Sequence, residues 1–320
     1  MGKLNVLYYE VLDFHPAVLK MIDECFNIFT FPNPDQEDDE VYANIDILFA
    51  PLGFKFDKLK IDKFKNLKII ASSTLNVPHI DMDYCHLKNI SVCHLGNEVD
   101  FLYTITPTAE LTWGLVIAIT RRIPWAHKDV CSGTWDGRSF GQYTPRMLSN
   151  MNLGIIGLGR LGSIVASYGK AFGMTVYYYS PNSTNSEYYR CNTLEELAGQ
   201  SDIISVHAHL TESTKGMIDN KFFMSMKPGS YFINTARGQI VDENALLDFL
   251  QSGHLGGAAL DVLADEYEPN FKNNILDQPL VKYAKSHDNL IITPHIAGAT
   301  VDAWVATESK LIEVIKRTIK

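Results

Sequence analysis

Cysteine is scarce in this chain. Among 320 residues there are five: Cys25, Cys85, Cys93, Cys131 and Cys191. Their number is odd and none forms a CxxC pair, which argues against a disulfide framework and for a reducing compartment, the cytoplasm. Basic charge is also in deficit, with 28 Lys and Arg against 37 Asp and Glu and a formal net charge of -9. The basic residues are scattered rather than gathered in a block. A nucleic-acid or anionic-membrane partner needs a concentrated basic face, so neither is expected. Long apolar runs are missing too: no stretch of about 18 apolar residues occurs, and no membrane-spanning segment is expected. The opening MGKLNVLYYEVLDF is broken early by acidic residues and does not read as a secretory signal. Low-complexity segments and short-period repeats are absent as well.

What is present is an alternation of short apolar runs and helical stretches. In the first hundred residues KLNVLYYE, IDILFAPL, LKIIASST and NISVCHLG read as strands, and PAVLKMIDECF as an amphipathic helix. Such spacing predicts a parallel sheet covered on both faces. NPDQEDDE (33–40) reads as a solvated acidic turn. PTAELTWGLVIAITRRI is a long apolar helix. Residues 125–150, with Gly133, Gly137, Gly141 and Pro145, read as irregular. A second series then begins. SDIISVHAHL, GSYFINTA, LGGAALDVL and NLIITPHIAG are strand candidates, VDENALLDFLQSG is a helix stopped by Gly253, and DAWVATESKLIEVIKRTIK is an amphipathic tail helix. The expected fold class is α/β, with two doubly wound parallel-sheet domains and a cleft between them. Ligands in such sheets bind beyond the carboxyl ends of the strands.

The segment NLGIIGLGRLGSIVASYGKAFGMTVYYYS (152–180) runs strand, glycine turn, helix, strand. Gly157, Gly159 and Gly162 fit G-x-G-x-x-G, the pattern of a dinucleotide-binding turn. The first glycine permits the tight turn, the second lets a pyrophosphate approach the backbone, and the third lets the helix pack on the sheet. Arg160 and Leu161 open the helix whose N-terminus would face the phosphates. The ribose-binding position at the tip of the second strand is Ser180, where an Asp or Glu would select NAD. An arginine selecting NADP is absent from SPNSTNSEYY, and the first one after it is Arg190. With neither discriminator present, NAD is the expected cofactor and NADP remains open. The aromatics of YYYS and Tyr188 read as strand and surface residues near an adenine site.

GLGRLG, SDIISVHAHLTEST, NTARGQIVDENAL, GAALDVLADEYEP and ITPHIAGAT, taken together and in this order, resemble the D-isomer-specific 2-hydroxyacid dehydrogenase family. The resemblance covers most of residues 151–300 and implies a flavodoxin-like substrate domain beside a Rossmann NAD(P)-binding domain. The expected boundaries are 1–100 and 296–320 for the substrate domain and 101–295 for the dinucleotide-binding domain. By position it implies that Arg237 binds substrate, that Glu266 is the catalytic-site carboxylate and that His295 is the general acid/base. It places Asp261 as a structural and cofactor-side acid, His207 near the nicotinamide, and Thr235 and Ala236 among the cofactor contacts. It also implies that backbone N–H groups of Leu75 and Asn76, in ASSTLNVPHID, hold the substrate carboxylate. That loop departs from the family pattern at Asn76 and Pro78, and His209 replaces a usual proline. A homodimer built around the helix starting TPTAELTW is a further implication.

The chemistry agrees with the resemblance. Reduction of a 2-keto acid needs a hydride donor, an anchor for the carboxylate and a proton for the developing alkoxide. Arginine's planar fork binds a carboxylate through two parallel hydrogen bonds. Imidazole exchanges protons near neutral pH, and a neighbouring carboxylate favours its protonated form. The expected activity is NAD(P)-dependent interconversion of a small 2-keto acid and its D-2-hydroxy acid. The alternative is an NAD(H)-sensing, corepressor-like binding protein on the same fold. His207 and His209 form an H-x-H on one strand face, but no third ligand at suitable spacing accompanies them, and no metal is expected.

Overall fold

A computed structural model describes residues 2–136 and 146–319. The chain divides into two compact units, 1–105 with 299–320, and 106–298. The strands are β1 Asn5–Tyr9, β2 Asn27–Phe31, β3 Ile47–Phe49, β4 Ile69–Ala71, β5 Ser91–Cys93, β6 Asn152–Ile156, β7 Thr175–Tyr179, β8 Tyr189–Arg190, β9 Ile203–Val206, β10 Tyr231–Asn234, β11 Gly257–Leu260 and β12 Leu290–Ile292. The helices are α1 Pro16–Cys25, α2 Lys58–Ile61, α3 Met82–Leu87, α4 Val99–Tyr103, α5 Pro107–Thr120, α6 Ile123–Cys131, α7 Arg160–Ala171, α8 Leu194–Gln200, α9 Asn220–Ser225, α10 Glu243–Gln251, α11 Pro279–Ala284 and α12 Val301–Ile319.

The first unit is a five-stranded parallel sheet in the order β2-β1-β3-β4-β5, the flavodoxin-like order. Its side chains alternate between two cores, as a period of two requires. Val6, Tyr8, Ile47 and Ile69 face α1 and α12, whereas Leu7, Tyr9, Leu48 and Ile70 face Ile61, Ile80 and Cys85. The tail helix α12 thus belongs to this sheet, and its Leu311, Ile312 and Ile315 are fully buried.

The second unit is a seven-stranded parallel sheet in the order β12-β11-β10-β9-β6-β7-β8. Counted within the unit this is 3-2-1-4-5-6-7, the Rossmann order with one added strand. The alternation recurs here. Ile155, Ile203, Ile233 and Ala259 pack with Trp113 of α5 and Val165 of α7. Ile156, Ile204, Phe232 and Ala258 pack with Leu197, Phe222 and Leu246 on the other face. The Trp113 indole donates to the Val165 carbonyl at 3.1 Å, tying α5 to α7.

Three expectations change. The stretch read as irregular from 125 is helical through Cys131, as α6, with Pro124 in its first turn where a missing N–H costs nothing; Gly137, Gly141 and Pro145 lie outside the described residues. The acidic turn is not wholly solvated: the Glu37 side chain is enclosed, accepting from Tyr42 at 2.6 Å and Tyr9 and pairing with Lys60 at 2.5 Å. Val99–Thr120 is long and apolar enough, by composition, to cross a membrane. It is two helices, α4 and α5, and α5 buries Ala109, Trp113, Val116 and Ile119 in the core of its unit.

Candidate active site

The glycine turn sits where the order of the second sheet reverses, at the carboxyl end of β6. Gly157 has φ +90, and a Cβ there would lie 2.8 Å from the Ala208 nitrogen. A Cβ on Gly162 would lie 2.0 Å from the Gly157 carbonyl oxygen, so helix α7 can start against the strand only with glycine at that place. Gly159 faces open space, and no side chain caps α7 there. Arg160 and Leu161 form the first turn of that helix. The Gly157 N–H donates to the Tyr179 carbonyl at 2.9 Å, which sets Ser180 beside the turn. The geometry fits a pyrophosphate on the backbone and an adenosine ribose at Ser180.

Arg237, Glu266 and His295 follow β10, β11 and β12. Arg237 is exposed, and its guanidinium donates to the Ala236 carbonyl at 2.7 Å. The next residue, Gly238, packs so tightly on the following loop that a Cβ would meet the Leu263 carbonyl carbon at 2.1 Å. That loop carries Glu266. Its carboxylate pairs with His295 Nδ1 at 2.9 Å, and the Tyr267 hydroxyl lies 3.4 Å from the same nitrogen. Arg237 acts on Tyr267 electrostatically, opposing the rise that burial imposes on the phenol. Glu266, Tyr267 and His295 are thus in direct contact, and Arg237 lies within electrostatic range of Tyr267. With Nδ1 engaged, His295 Nε2 is the ring nitrogen left for a substrate. A cavity of about 960 Å³ opens beside this group, lined by Glu266, Tyr267 and His295 together with Phe271, Ile275 and Val281.

His295 adopts φ +52, a left-handed conformation that costs a branched or bulky residue energy. Asp261 holds it there. Its backbone carbonyl accepts the His295 N–H at 2.8 Å, and its buried carboxylate accepts from the N–H groups of Ile296 and Ala297 and from the Thr293 hydroxyl. Asp261 is thus occupied as a brace for the loop. Thr235 is turned inward, its hydroxyl 2.8 Å from that of Thr112, and the Ala236 N–H donates to Asn234 at 3.0 Å. His207 is bound to the Ser205 hydroxyl at 2.8 Å, and burial pushes its pKa down to about 4, so it is neutral at physiological pH. His209 is exposed, and no group of three or more metal-ligating side chains occurs among the described residues.

In the other unit, Leu75 and Asn76 lie in the loop beyond the carboxyl end of β4. Their carbonyls are tied down, Leu75 to His94 Nδ1 at 3.1 Å and Asn76 to the Thr74 hydroxyl at 2.7 Å. Their N–H groups donate to nothing among the described residues.

The matched family and relatives agree with this architecture. A family model for the D-isomer specific 2-hydroxyacid dehydrogenase NAD binding domain matches residues 113–297. The chain belongs to the D-isomer-specific 2-hydroxyacid dehydrogenase family. It is 34% identical over 300 residues to a glyoxylate reductase of Thermofilum pendens, covering 89% of this chain and 83% of that one. It is 34% identical over 304 residues to the D-3-phosphoglycerate dehydrogenase of Bacillus subtilis, covering 94% of this chain but 54% of that longer one, so the chain spans about half of that relative's length. The structure of an Aquifex aeolicus D-lactate dehydrogenase, complexed with NAD and lactic acid, superposes with a TM-score of 0.77 at 29% identity, over 99% of this chain and 95% of that one. The seven-stranded unit is the family's NAD-binding Rossmann domain, and the chain is an oxidoreductase of that family.

Three features of the site go beyond the sequence expectations. Tyr267 joins the Glu266–His295 pair. Gln239 and Glu243 clamp Ala264 from both sides in the loop that carries Glu266: the Ala264 carbonyl accepts from the Gln239 amide at 2.5 Å, and the Ala264 N–H donates to Glu243 at 2.7 Å. Burial of the Glu243 carboxyl, with Asp265 and Glu266 nearby, pushes its pKa up to about 7. The third is Arg190. The segment SPNSTNSEYY places no arginine at the ribose position. The pairing of β8 with β7 corrects this, bringing the Arg190 guanidinium to 3.3 Å from the Ser180 carbonyl. The clamp could have been suspected from RGQIVDE, because its polar residues follow a strand end; the Arg190 contact depends on a two-residue strand that carries no pattern.

Proposed function

We propose that this chain interconverts a small 2-keto acid and its D-2-hydroxy acid, with Arg237 anchoring the substrate and His295 moving the proton. The observation that carries the reading is the His295–Glu266 pair, fixed at Nδ1 and backed by a strained backbone held by Asp261. A strained, braced histidine with one ring nitrogen presented outward suits proton transfer better than a structural role.

The residues each have a task. The exposed Arg237 fork binds the substrate carboxylate and draws electron density from the keto oxygen. His295 Nε2–H donates a proton to that oxygen as it becomes an alkoxide; in the reverse direction the neutral ring takes the proton from the hydroxyl. Glu266 holds the ring in orientation and stabilises the imidazolium. The turn at Gly157, Gly159 and Gly162, with Ser180, would hold the dinucleotide, which supplies the hydride when bound. Relatives named as glyoxylate reductase and D-lactate dehydrogenase support a short substrate.

The test is turnover. The chain is assayed with a panel of short 2-keto acids, following the loss of reduced-nicotinamide absorbance with NADH and NADPH in parallel. Reduction of at least one acid is expected. Tight nucleotide binding without turnover of any would instead favour a sensor.

A further inference from the structure

We propose that Arg190 and Ser180 form a 2′-phosphate subsite and that the chain selects NADP(H) over NAD(H). The inference rests on the dinucleotide reading of the glycine turn given above. The tip of the second Rossmann strand decides this selection. A carboxylate there binds the ribose 2′-hydroxyl and repels a 2′-phosphate, and an arginine nearby accommodates the phosphate. Here the tip residue is Ser180, and the following Pro181, Asn182, Ser183 and Thr184 bring no acid. Ser180 is largely buried, at 6% exposure, and its hydroxyl makes no side-chain hydrogen bond among the described residues.

Arg190 supplies the cation. Strand β8 pairs in parallel with β7, placing Arg190 opposite Tyr178. The Cys191 N–H donates to the Tyr178 carbonyl at 2.8 Å and extends the pairing past the arginine. The side chain is exposed, and its Nη2 donates to the Ser180 carbonyl at 3.3 Å, so the guanidinium stands at the ribose position. One donor is used there and the rest of the fork remains for an anion. No carboxylate among the described residues pairs with it. The nearest acid in sequence, Glu187, is held by Lys170 at 3.4 Å. Tyr189 packs on Tyr177 across the same strand pair, with centroids 5.3 Å apart, which fixes the strand that carries the arginine.

The test is binding, measured by calorimetry on the full chain with NADPH and NADH, with adenosine 2′,5′-bisphosphate and ADP as cofactor fragments. NADPH is expected to bind at least tenfold tighter than NADH, and the bisphosphate tighter than ADP. Arg190→Ala should weaken NADPH tenfold or more while moving NADH less than twofold, with an unchanged melting temperature. Ser180→Asp should reverse the preference. NADH binding as tightly as NADPH to the unaltered chain overturns the subsite and leaves the dehydrogenase reading standing. Equal weakening of both nucleotides by Arg190→Ala also overturns it, since that marks a structural role. Failure of both nucleotides to bind overturns both readings.

Discussion

At the scale of single residues, the chemistry turns on what each side chain is prevented from doing. His295 cannot rotate freely, because Nδ1 is held by Glu266 and its backbone N–H by the Asp261 carbonyl. His295→Gln keeps a polar side chain but loses proton exchange. It should bind NADPH or NADH as the unaltered chain does and lose about a hundred- to ten-thousandfold in keto-acid reduction, measured as kcat in steady-state turnover. An unchanged kcat would remove His295 from the proton path. Glu243 gives a stability prediction with a definite sign. Its carboxyl titrates near 4.5 when free and at about 7 in the folded chain. Between these values the folded state holds a proton that the unfolded state releases, so this group's contribution to stability falls as pH rises through that window. Above it both states are ionised and the burial cost stands in full. Glu243→Gln keeps an acceptor for the Ala264 N–H and never ionises. Urea unfolding at about pH 5 and about pH 8 should show the variant gaining on the parent by about 1–3 kcal/mol at the higher pH; a pH-independent difference would refute the assignment. His295 and Glu266 stand in motifs at strand ends, and the family resemblance implies their roles; that the two side chains meet is a fact of the fold. The role of Glu243 is not legible in the sequence, because it acts on a peptide 21 residues away across the sheet.

At the scale of elements, the site is three loops that leave adjacent strands β10, β11 and β12 and lean on one another. These strands are legible in the sequence because each is a short apolar run ending in polar residues. Strand β2 is not, because its NIFTF is mostly exposed and lacks a continuous apolar signal, and the two residues of β8 show no period at all. The helices α8 and α9 carry good caps, Thr193 and Asp219 accepting from Glu196 and Phe222, but at seven and six residues they are too short for a helical period to stand out. Loop-to-loop contact is the part no periodicity encodes. Gly238 is where it is tightest. Gly238→Ala would drive a methyl to 2.1 Å from the Leu263 carbonyl carbon and 2.2 Å from the Ala264 nitrogen, both backbone atoms that cannot swing aside. The loop carrying Glu266 must shift. The expected cost is about 1–3 kcal/mol in thermal or urea unfolding. In turnover, kcat should fall tenfold or more while nucleotide affinity holds, because the glycine turn after β6 is a separate element. A variant with full kcat would show that the loop tolerates displacement.

At the scale of the whole molecule, the two units differ in continuity. The NAD-binding unit is one stretch, 106–298, whereas the other is assembled from 1–105 and the returning tail 299–320. The tail was legible as an amphipathic helix, but its place in the first sheet's core is a tertiary fact. Leu311, Ile312 and Ile315 are fully buried there. Burial of such side chains stabilises by about 1.5–3 kcal/mol each, so the three together rival the 5–15 kcal/mol that typically holds a domain. Cutting the chain after Gly298 should therefore unfold the first unit and spare the second. The truncated protein should show one remaining cooperative melting transition and bind nicotinamide nucleotides within about tenfold of the full chain. Nucleotide at a hundredfold excess over Kd should add about 2.7 kcal/mol to the surviving unit and raise its melting temperature by several degrees. If nucleotide leaves that transition where it was, the glycine turn does not by itself make a binding site, and residues from outside 106–298 must complete it.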